Sequence, residues 1–382
     1  MALLCTALVL LTTVLSSSSG IATLLRDLDL VFSESGDNTK EIIYVDDDNT
    51  EGPWNGSLEF PYNHIQDAVN HSNDGDTIYV FNGIYYENVW VNQTIHLIGE
   101  DKNHTIVDGG FKSYCVFLYS NNIYLSGFTF QNSGTHWYND AGVSIKNSRL
   151  HSNHDTIIGN IMKYNYDGIF LNWAENNTIT ENLIINNTDD GIYFQSYDHN
   201  NNITSNTIAN NGAYGIFITG NNNTISRNYI YDNEIGIGLY DDTNVYENFI
   251  ENSTYGIIVG YGINYIYRNT FTKNLVGLDL QGAPCCTIKE NNFIKNIRDA
   301  KFSYDILQRL ILPFFVFPQL TKWKNNYWDG HDGGQKIILG NMILCFLLHI
   351  IIDEFFDIQT IGIPWLNIDW NPAQEPYDIG GE

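Results

Sequence analysis

The chain has 382 residues, 44 Asp and Glu against 18 Lys and Arg, and a formal net charge of −26, yet only 16% of its residues are charged. So acidic a surface argues against nucleic acid as a partner, because phosphates require neutralisation by Lys and Arg. It suits a divalent cation, a cationic partner or solubility through self-repulsion.

Residues Ala2–Leu15 form an apolar run followed by Ser16–Gly20, which reads as a secretory leader over residues 1–20 and places the mature protein outside the cytoplasm, at the cell surface or in the periplasm. The Asn-X-Ser/Thr sequons at Asn55, Asn92, Asn103, Asn202 and Asn252 are as frequent as an Asn-rich chain would give by chance. In the stretch 65–69, Ile65, Ala68 and Val69 share one helical face, which predicts a short helix capping an open end of the fold.

From about residue 157 a repeat of ~22 residues takes over. Its units read Ile157/Asn160/Met162, Ile179/Asn182/Ile184, Ile203/Asn206/Ile208, Ile225/Asn228/Ile230, Val245/Asn248/Ile250, Ile266/Asn269/Phe271 and Ile288/Asn291/Phe293. A second series runs beside it: Gly168-Ile169, Gly191-Ile192, Gly215-Ile216, Gly236-Ile237, Gly256-Ile257 and Gly277-Leu278. After each Gly the apolar residues fall at i and i+2, the period of a strand with one buried face. The connecting Asn, Asp, Gly and Ser are turn formers. Each unit therefore holds two or three short strands, and stacked units make parallel sheets. At an inward turn the recurrent Asn can bond its copy in the next coil, so Asn160, Asn182, Asn206, Asn228, Asn248, Asn269 and Asn291 read as a structural ladder rather than a binding set.

This pattern resembles the right-handed parallel β-helix repeats of the pectin-lyase-like superfamily, from about Ile42 to Trp328. The start, Tyr44–Asp48, Pro61–Val69, Gly75–Val80, Gly83–Val89, Leu97–Glu100 and Thr105–Gly109, is similar to the entry segment of archaeal and bacterial surface β-helix proteins, including NosD-like copper-handling ones. The resemblance implies an all-β, single-stranded right-handed parallel β-helix over 41–330 with a capping helix, and ligands in a groove outside one parallel sheet. Beyond Arg298 the Asn spacing fails. The apolar run Ile337–Ile352 is short for a membrane span, so 331–382 reads as a C-terminal cap and tail.

Alternation supplies the groove residues. The outward lanes two and four residues after each Gly read Phe170, Tyr193, Phe217, Gly238, Ile258, Asp279 and Asn172, Gln195, Thr219, Tyr240, Gly260, Gln281. Phe170, Asn172, Tyr193, Gln195 and Phe217 are the candidate substrate contacts, since rings stack on sugar faces and amides bond hydroxyls. Outward aromatics also stabilise sheets without a ligand. Asp167, Asp189 and Asp190 are the candidate catalytic carboxylates. Retaining hydrolysis wants two carboxyls about 5–5.5 Å apart, and Asn187-Thr-Asp-Asp190 resembles the Asn-Thr-Asp element of polygalacturonases. The companion Gly-His-Gly and Arg-Ile-Lys elements of that family are absent, so the reading leans towards a monomeric binder of polysaccharide or cell-surface glycan, or a structural envelope protein, over a lyase or hydrolase. NosD-like copper handling is a further alternative. It wants clustered Met, Cys or His, whereas the Met residues are Met1, Met162 and Met342, and His151, His154 and His199 are dispersed. Calcium is the cofactor left open, with Asp46–Asp48, Asp241 and Asp242 as its oxygen donors. Cys115, Cys285, Cys286 and Cys345 read as free thiols.

Overall fold

The computed structural model describes residues 40–136, 140–146, 153–282, 285–305, 321–331, 336–346, 359–369 and 371–379. The leader, Trp137 and His151 lie outside them. The chain winds through three sheets, so that each coil contributes one strand to each. The first sheet stacks twelve strands from Ile42–Val45 to Lys322–Lys324. The second stacks eleven, from Gly83–Tyr85 to Tyr327–Trp328, and the third twelve, from Val89–Val91 to Gln359–Asp369. The result is a parallel β-solenoid of about ten turns. Pairing is parallel throughout except at the last step, where Lys336–Phe346 and Gln359–Asp369 pair antiparallel.

The periodic apolar residues of the sequence line the interior. Ile179, Ile203, Ile225, Val245, Ile266 and Ile288 are fully buried inside the first sheet. Ile184, Ile208, Ile230, Ile250, Phe271 and Phe293 are fully buried inside the second. The pairs after each Gly, such as Ile192/Phe194 and Ile216/Ile218, fill the third wall. Each such side chain contributes about 1.5–3 kcal/mol. Aromatic stacking closes the far end, with Phe271, Phe293 and Trp328 at centroid spacings of 4.8 and 4.3 Å.

The Asn ladder is present at the turn between the first and second sheets. In each rung an Asn Oδ1 accepts the backbone N–H and the Nδ2–H of the preceding Asn: Asn182 to Asn206 at 3.0 and 3.0 Å, Asn206 to Asn228 at 2.9 and 3.0 Å. It extends past Asn291 to Asn326, whose N–H and Nδ2–H both donate to the buried carboxylate of Asp369. Two further ladders occupy the other corners. Asn165, Asn187, Asn211 and Asn233 stack between the second and third sheets. Asp155, Asn177, Asn201 and Asn223 stack between the third and first.

These corners are tight. The residue before nearly every ladder member has positive φ, as in Glu181 (56°), Ser205 (57°) and Arg227 (56°). Such a conformation costs an L residue roughly 1–2 kcal/mol, and the ladder bonds hold it in place. The repeated Gly has another cause. At Gly191 an added Cβ would lie 2.5 Å from the Gly215 carbonyl oxygen and 2.8 Å from Ile208 Cγ2, so backbones approach too closely there for a side chain.

The predicted capping helix spans Ile65–His71 and buries Ile65, Ala68 and Val69. Glu87 completes its start by accepting the N–H groups of Ile65 and Gln66, each at 2.9 Å. At the other end the 371–379 tail turns back along the second sheet. Asn292 and Tyr377 exchange side-chain and backbone bonds at 2.8 Å each, and Tyr377 donates its hydroxyl to Asn325 O.

Candidate functional site

The outer face of the third sheet carries the candidate residues. Its register aligns Phe170, Tyr193 and Phe217 in one lane, with ring centroids 5.7 and 5.2 Å apart. Tyr214 and Tyr240 extend the cluster, each about 5 Å from Phe217. The same lane continues upstream through Ser144 and Phe117 to Trp90, which is 45% exposed. Spacing in the sequence does not reveal those two aromatics, because the early coils lie outside the 22-residue period. Phe170, expected as a contact, is fully buried, and Asn172 is 6% exposed. Alternation tells which face a side chain takes but not whether something covers that face. Around Phe170 the lane is covered, and it is accessible again from Tyr193 onward.

Beside the lane, Asn172 donates Nδ2–H to Gln195 Oε1 at 2.7 Å, while its own Oδ1 makes no hydrogen bond. Just beyond these strands the corner carries a second aromatic pair, Trp173 (one residue after Asn172) over Tyr197 (two after Gln195), stacked at 4.1 Å. Both have positive φ, 60° and 55°. Asp198, fully buried, holds this corner by accepting the N–H of Ala174 at 2.8 Å and of Ser196 at 3.0 Å.

The carboxylates sit at the opposite edge of the lane. Asp167 Oδ1 accepts the Asp190 N–H at 3.0 Å, and Asp190 Oδ1 accepts the Tyr214 N–H at 2.8 Å. Burial raises Asp167 well above the usual carboxylate range, helped by Asp190 nearby. Burial pushes Asp190 up to about 7 against the Tyr214 hydrogen bond. Asp189 is partly exposed and takes a hydrogen bond from Tyr166. Each buried aspartate thus accepts a backbone N–H from the following coil.

Four of the five proposed calcium donors each accept a backbone N–H. Asp46 accepts from Asp48 N–H, Asp47 from Ile84 N–H, Asp241 from Gly220 N–H and Asp242 from Ile263 N–H. Among the described residues no group of three or more His, Cys, Asp and Glu is placed to hold a metal. A cleft of about 300 Å³ lies elsewhere, where Asp378 and Ile379 of the tail face Arg227, Glu247 and Arg268. Its charges answer one another, Arg227 to Glu247 at 2.9 Å and Arg268 to Glu247 at 3.7 Å, so the aromatic face remains the better candidate.

Three stacked parallel sheets with inward aliphatic columns and corner Asn ladders define a parallel β-helix protein. Within that class the chain is similar to the family described as periplasmic copper-binding protein (NosD), whose model matches residues 69–254. No curated protein matches. Among solved structures it is similar to pectate lyase Pel9A (15% identity, TM-score 0.43, covering 70% of this chain and 75% of that one). It is likewise similar to the A-module of Azotobacter vinelandii mannuronan C-5 epimerase AlgE4 (15%, 0.49, 68% and 91%). The catalytic unit of a GH87 alpha-1,3-glucanase from Streptomyces thermodiastaticus gives 12%, 0.48, 72% and 64%. At such identities these likenesses carry no activity across.

The copper that the family description names asks for clustered soft ligands. Met162 is sealed in the core, and the buried Cys115 thiol donates to Gln131 O at 3.1 Å, with burial raising its pKa. Burial also pushes Cys286 up to about 11. The described donors do not fit a copper centre.

Proposed function

We propose that this is an exported envelope or surface β-helix protein that binds glycan chains along the outer face of its third sheet. The observation that supports this reading best is the aromatic cluster of Tyr193 and Phe217 in one lane with Tyr240 in the neighbouring lane, its rings 5.2 and 5.1 Å apart. A polymer of sugar rings presents apolar faces at a similar repeat, and aromatic rings pack on such faces while neighbouring amides serve the hydroxyls. The export reading draws on the leader-like N-terminus. It also draws on similarity to a family described as periplasmic.

A second reading, polysaccharide cleavage, is favoured by the placement of buried Asp190 against Asp167, where burial pushes its carboxyl up to about 7, a range suited to proton transfer. Against it, each carboxylate spends an oxygen on a backbone N–H, which is what a structural cap does. One experiment separates the two. The protein is incubated with a polysaccharide panel while retention on the polymers and new reducing ends or unsaturated uronide are followed together. Retention without new ends is the expected result. New ends that vanish in Asp190→Asn would make it an enzyme, and absence of both signals would reject the glycan face.

A further inference from the structure

We infer that Gly238 and Gly260 are positioning residues of the glycan face: they let the rings of Tyr214 and Tyr240 lie over the next coil, building an open aromatic floor that takes an extended β-1,4-linked chain in preference to a coiled α-1,4-linked one. The inference rests on the glycan reading and adds the substrate class.

Both glycines stand at outward positions of the third sheet. Gly238 lies between Phe217 and Ile258 in the first lane, and Gly260 follows Tyr240 in the second. Neither has the positive φ that demands glycine. Nor does a neighbouring backbone crowd them, as Gly215 O crowds Gly191 and Gly256 O crowds Gly236, each 2.5 Å from the position of an added Cβ. The space above them is filled by a tyrosine ring instead. An added Cβ at Gly238 would lie 2.6 Å from Tyr214 Cε1 and 2.9 Å from its Cδ1, and one at Gly260 would lie 2.5 and 2.6 Å from the same atoms of Tyr240. Both glycines are buried although they face outward, while the two rings remain partly exposed. Glycine weakens a strand and recurs where something must approach the backbone closely.

The rings form one surface. Asp190 fixes the root of Tyr214 by accepting its N–H at 2.8 Å, and Tyr240 hydrogen-bonds Tyr214 through its side chain. Tyr214 meets Phe217 edge-on at 5.0 Å. The run Tyr193, Phe217, Tyr240 and Tyr261 then crosses four successive coils in steps of 5.2, 5.1 and 6.4 Å, passing from the first lane to the second and out to the corner. No side chain stands on Gly238 or Gly260 to interrupt it. A sugar packs on an aromatic ring through its apolar C–H face. A chain joined through equatorial bonds runs extended and offers such a face at every unit, so it can follow the whole run. An α-1,4-linked chain coils and meets only part of it. A tyrosine over a glycine also serves a sheet by itself, and the two roles separate when binding is measured beside stability.

The test is calorimetric titration of the full chain with hexasaccharides of β-1,4-linked glucose, β-1,4-linked N-acetylglucosamine and α-1,4-linked glucose, with the melting temperature of every variant. The β-1,4-linked chains should bind about tenfold tighter than the α-1,4-linked one. Gly238→Ala displaces the Tyr214 ring and should weaken that binding about fivefold at unchanged melting temperature, and Gly260→Ala should do the same through Tyr240. In a Tyr214→Ala background, Gly238→Ala should have no further effect on binding. Tyr246→Ala, on the first sheet, should bind as the parent does. Equal affinity for the two linkages, or a preference for the α-linked chain, would overturn the inference but keep the glycan reading. Parental affinity in both glycine variants, or a Gly238→Ala effect that persists without Tyr214, would reject the positioning role. Weakened binding that only tracks a fall in melting temperature would make the glycines structural, also against it. No binding of any chain by the parent would remove the glycan reading itself.

Discussion

Replacing Asp155 by Asn should stabilise the protein, and more so at alkaline pH. Asp155 starts the ladder between the third and first sheets, at a rung where the following coils carry Asn177, Asn201 and Asn223. Its Oδ1 accepts the Ile123 N–H at 2.8 Å, as an Asn would, but its Oδ2 stands where an Asn would place a donor and makes no hydrogen bond. Asn153 is close by, yet its Nδ2 is also unpartnered. Burial pushes the Asp155 carboxyl up from 3.8 to about 7, partly opposed by the Ile123 bond and, more weakly, by the nearby Asn153 amide. The folded state therefore holds a proton that the unfolded chain releases. Below pH 3.8 both forms are protonated and nothing is lost. Stability then falls as pH rises, and above about 7 the full cost applies, roughly 4 kcal/mol. The Asp155→Asn variant would carry no such cost, and its amide would supply an Nδ2–H to Asn177 Oδ1, as Asn177 does to Asn201 at 3.0 Å. The check is denaturant unfolding of parent and Asp155→Asn at pH 4 and pH 8, with hydrogen exchange at Ile123 as a local readout, because solenoids need not unfold in one step. A gap of about 2–4 kcal/mol at pH 8, shrinking towards pH 4, is expected. An equal gap at both pH values, or a less stable variant at pH 8, would refute the argument.

Removal of a middle rung should be costly. Asn206→Ala strips acceptors from Asn182 N–H and Nδ2–H and donors from Ile179 O and Asn228 Oδ1, all buried, so a loss of about 3 kcal/mol or more is expected in the unfolding midpoint. The two kinds of glycine should behave oppositely. Gly191→Ala drives a Cβ against Gly215 O and should cost about 1–3 kcal/mol, whereas Gly159→Asn, at φ 68° with nothing within 4 Å, should stay within about 0.5 kcal/mol; thermal melts distinguish them. The exposed charge ladder should matter little: Glu247→Gln breaks its ion pairs with Arg227 and Arg268 for less than about 1 kcal/mol, and the difference should shrink further in high salt.

What the sequence made legible was whatever repeats without exception. One Asn column and the inward aliphatic pairs recur in every coil from 157 to 294, and each sits where periodicity puts it. The other two ladders lie five residues either side of the first (155, 160, 165; 177, 182, 187; 201, 206, 211), a spacing that a second pass could find. They escape a strict column count because Ser253 and Thr243 interrupt them while keeping the backbone N–H bonds to Asn274 and Asn264. Trp90 and Phe117 are hidden for a related reason: coils upstream of 157 are longer, and register, not spacing, aligns them.

Burial of Phe170 and Asn172 could not be read at all, since a period of two gives the side of a sheet and says nothing of its cover. That difference also marks where function can reside. The ladders and the glycine column are fixed by stacking on both sides, so any change there is felt as stability. The outer lane is free of that constraint: its residues vary from Tyr193 and Phe217 to Gly238 and Asp279 from coil to coil. Aromatics gathered in a few coils of an otherwise mixed lane are not required by the solenoid. Their clustering is the argument for a ligand.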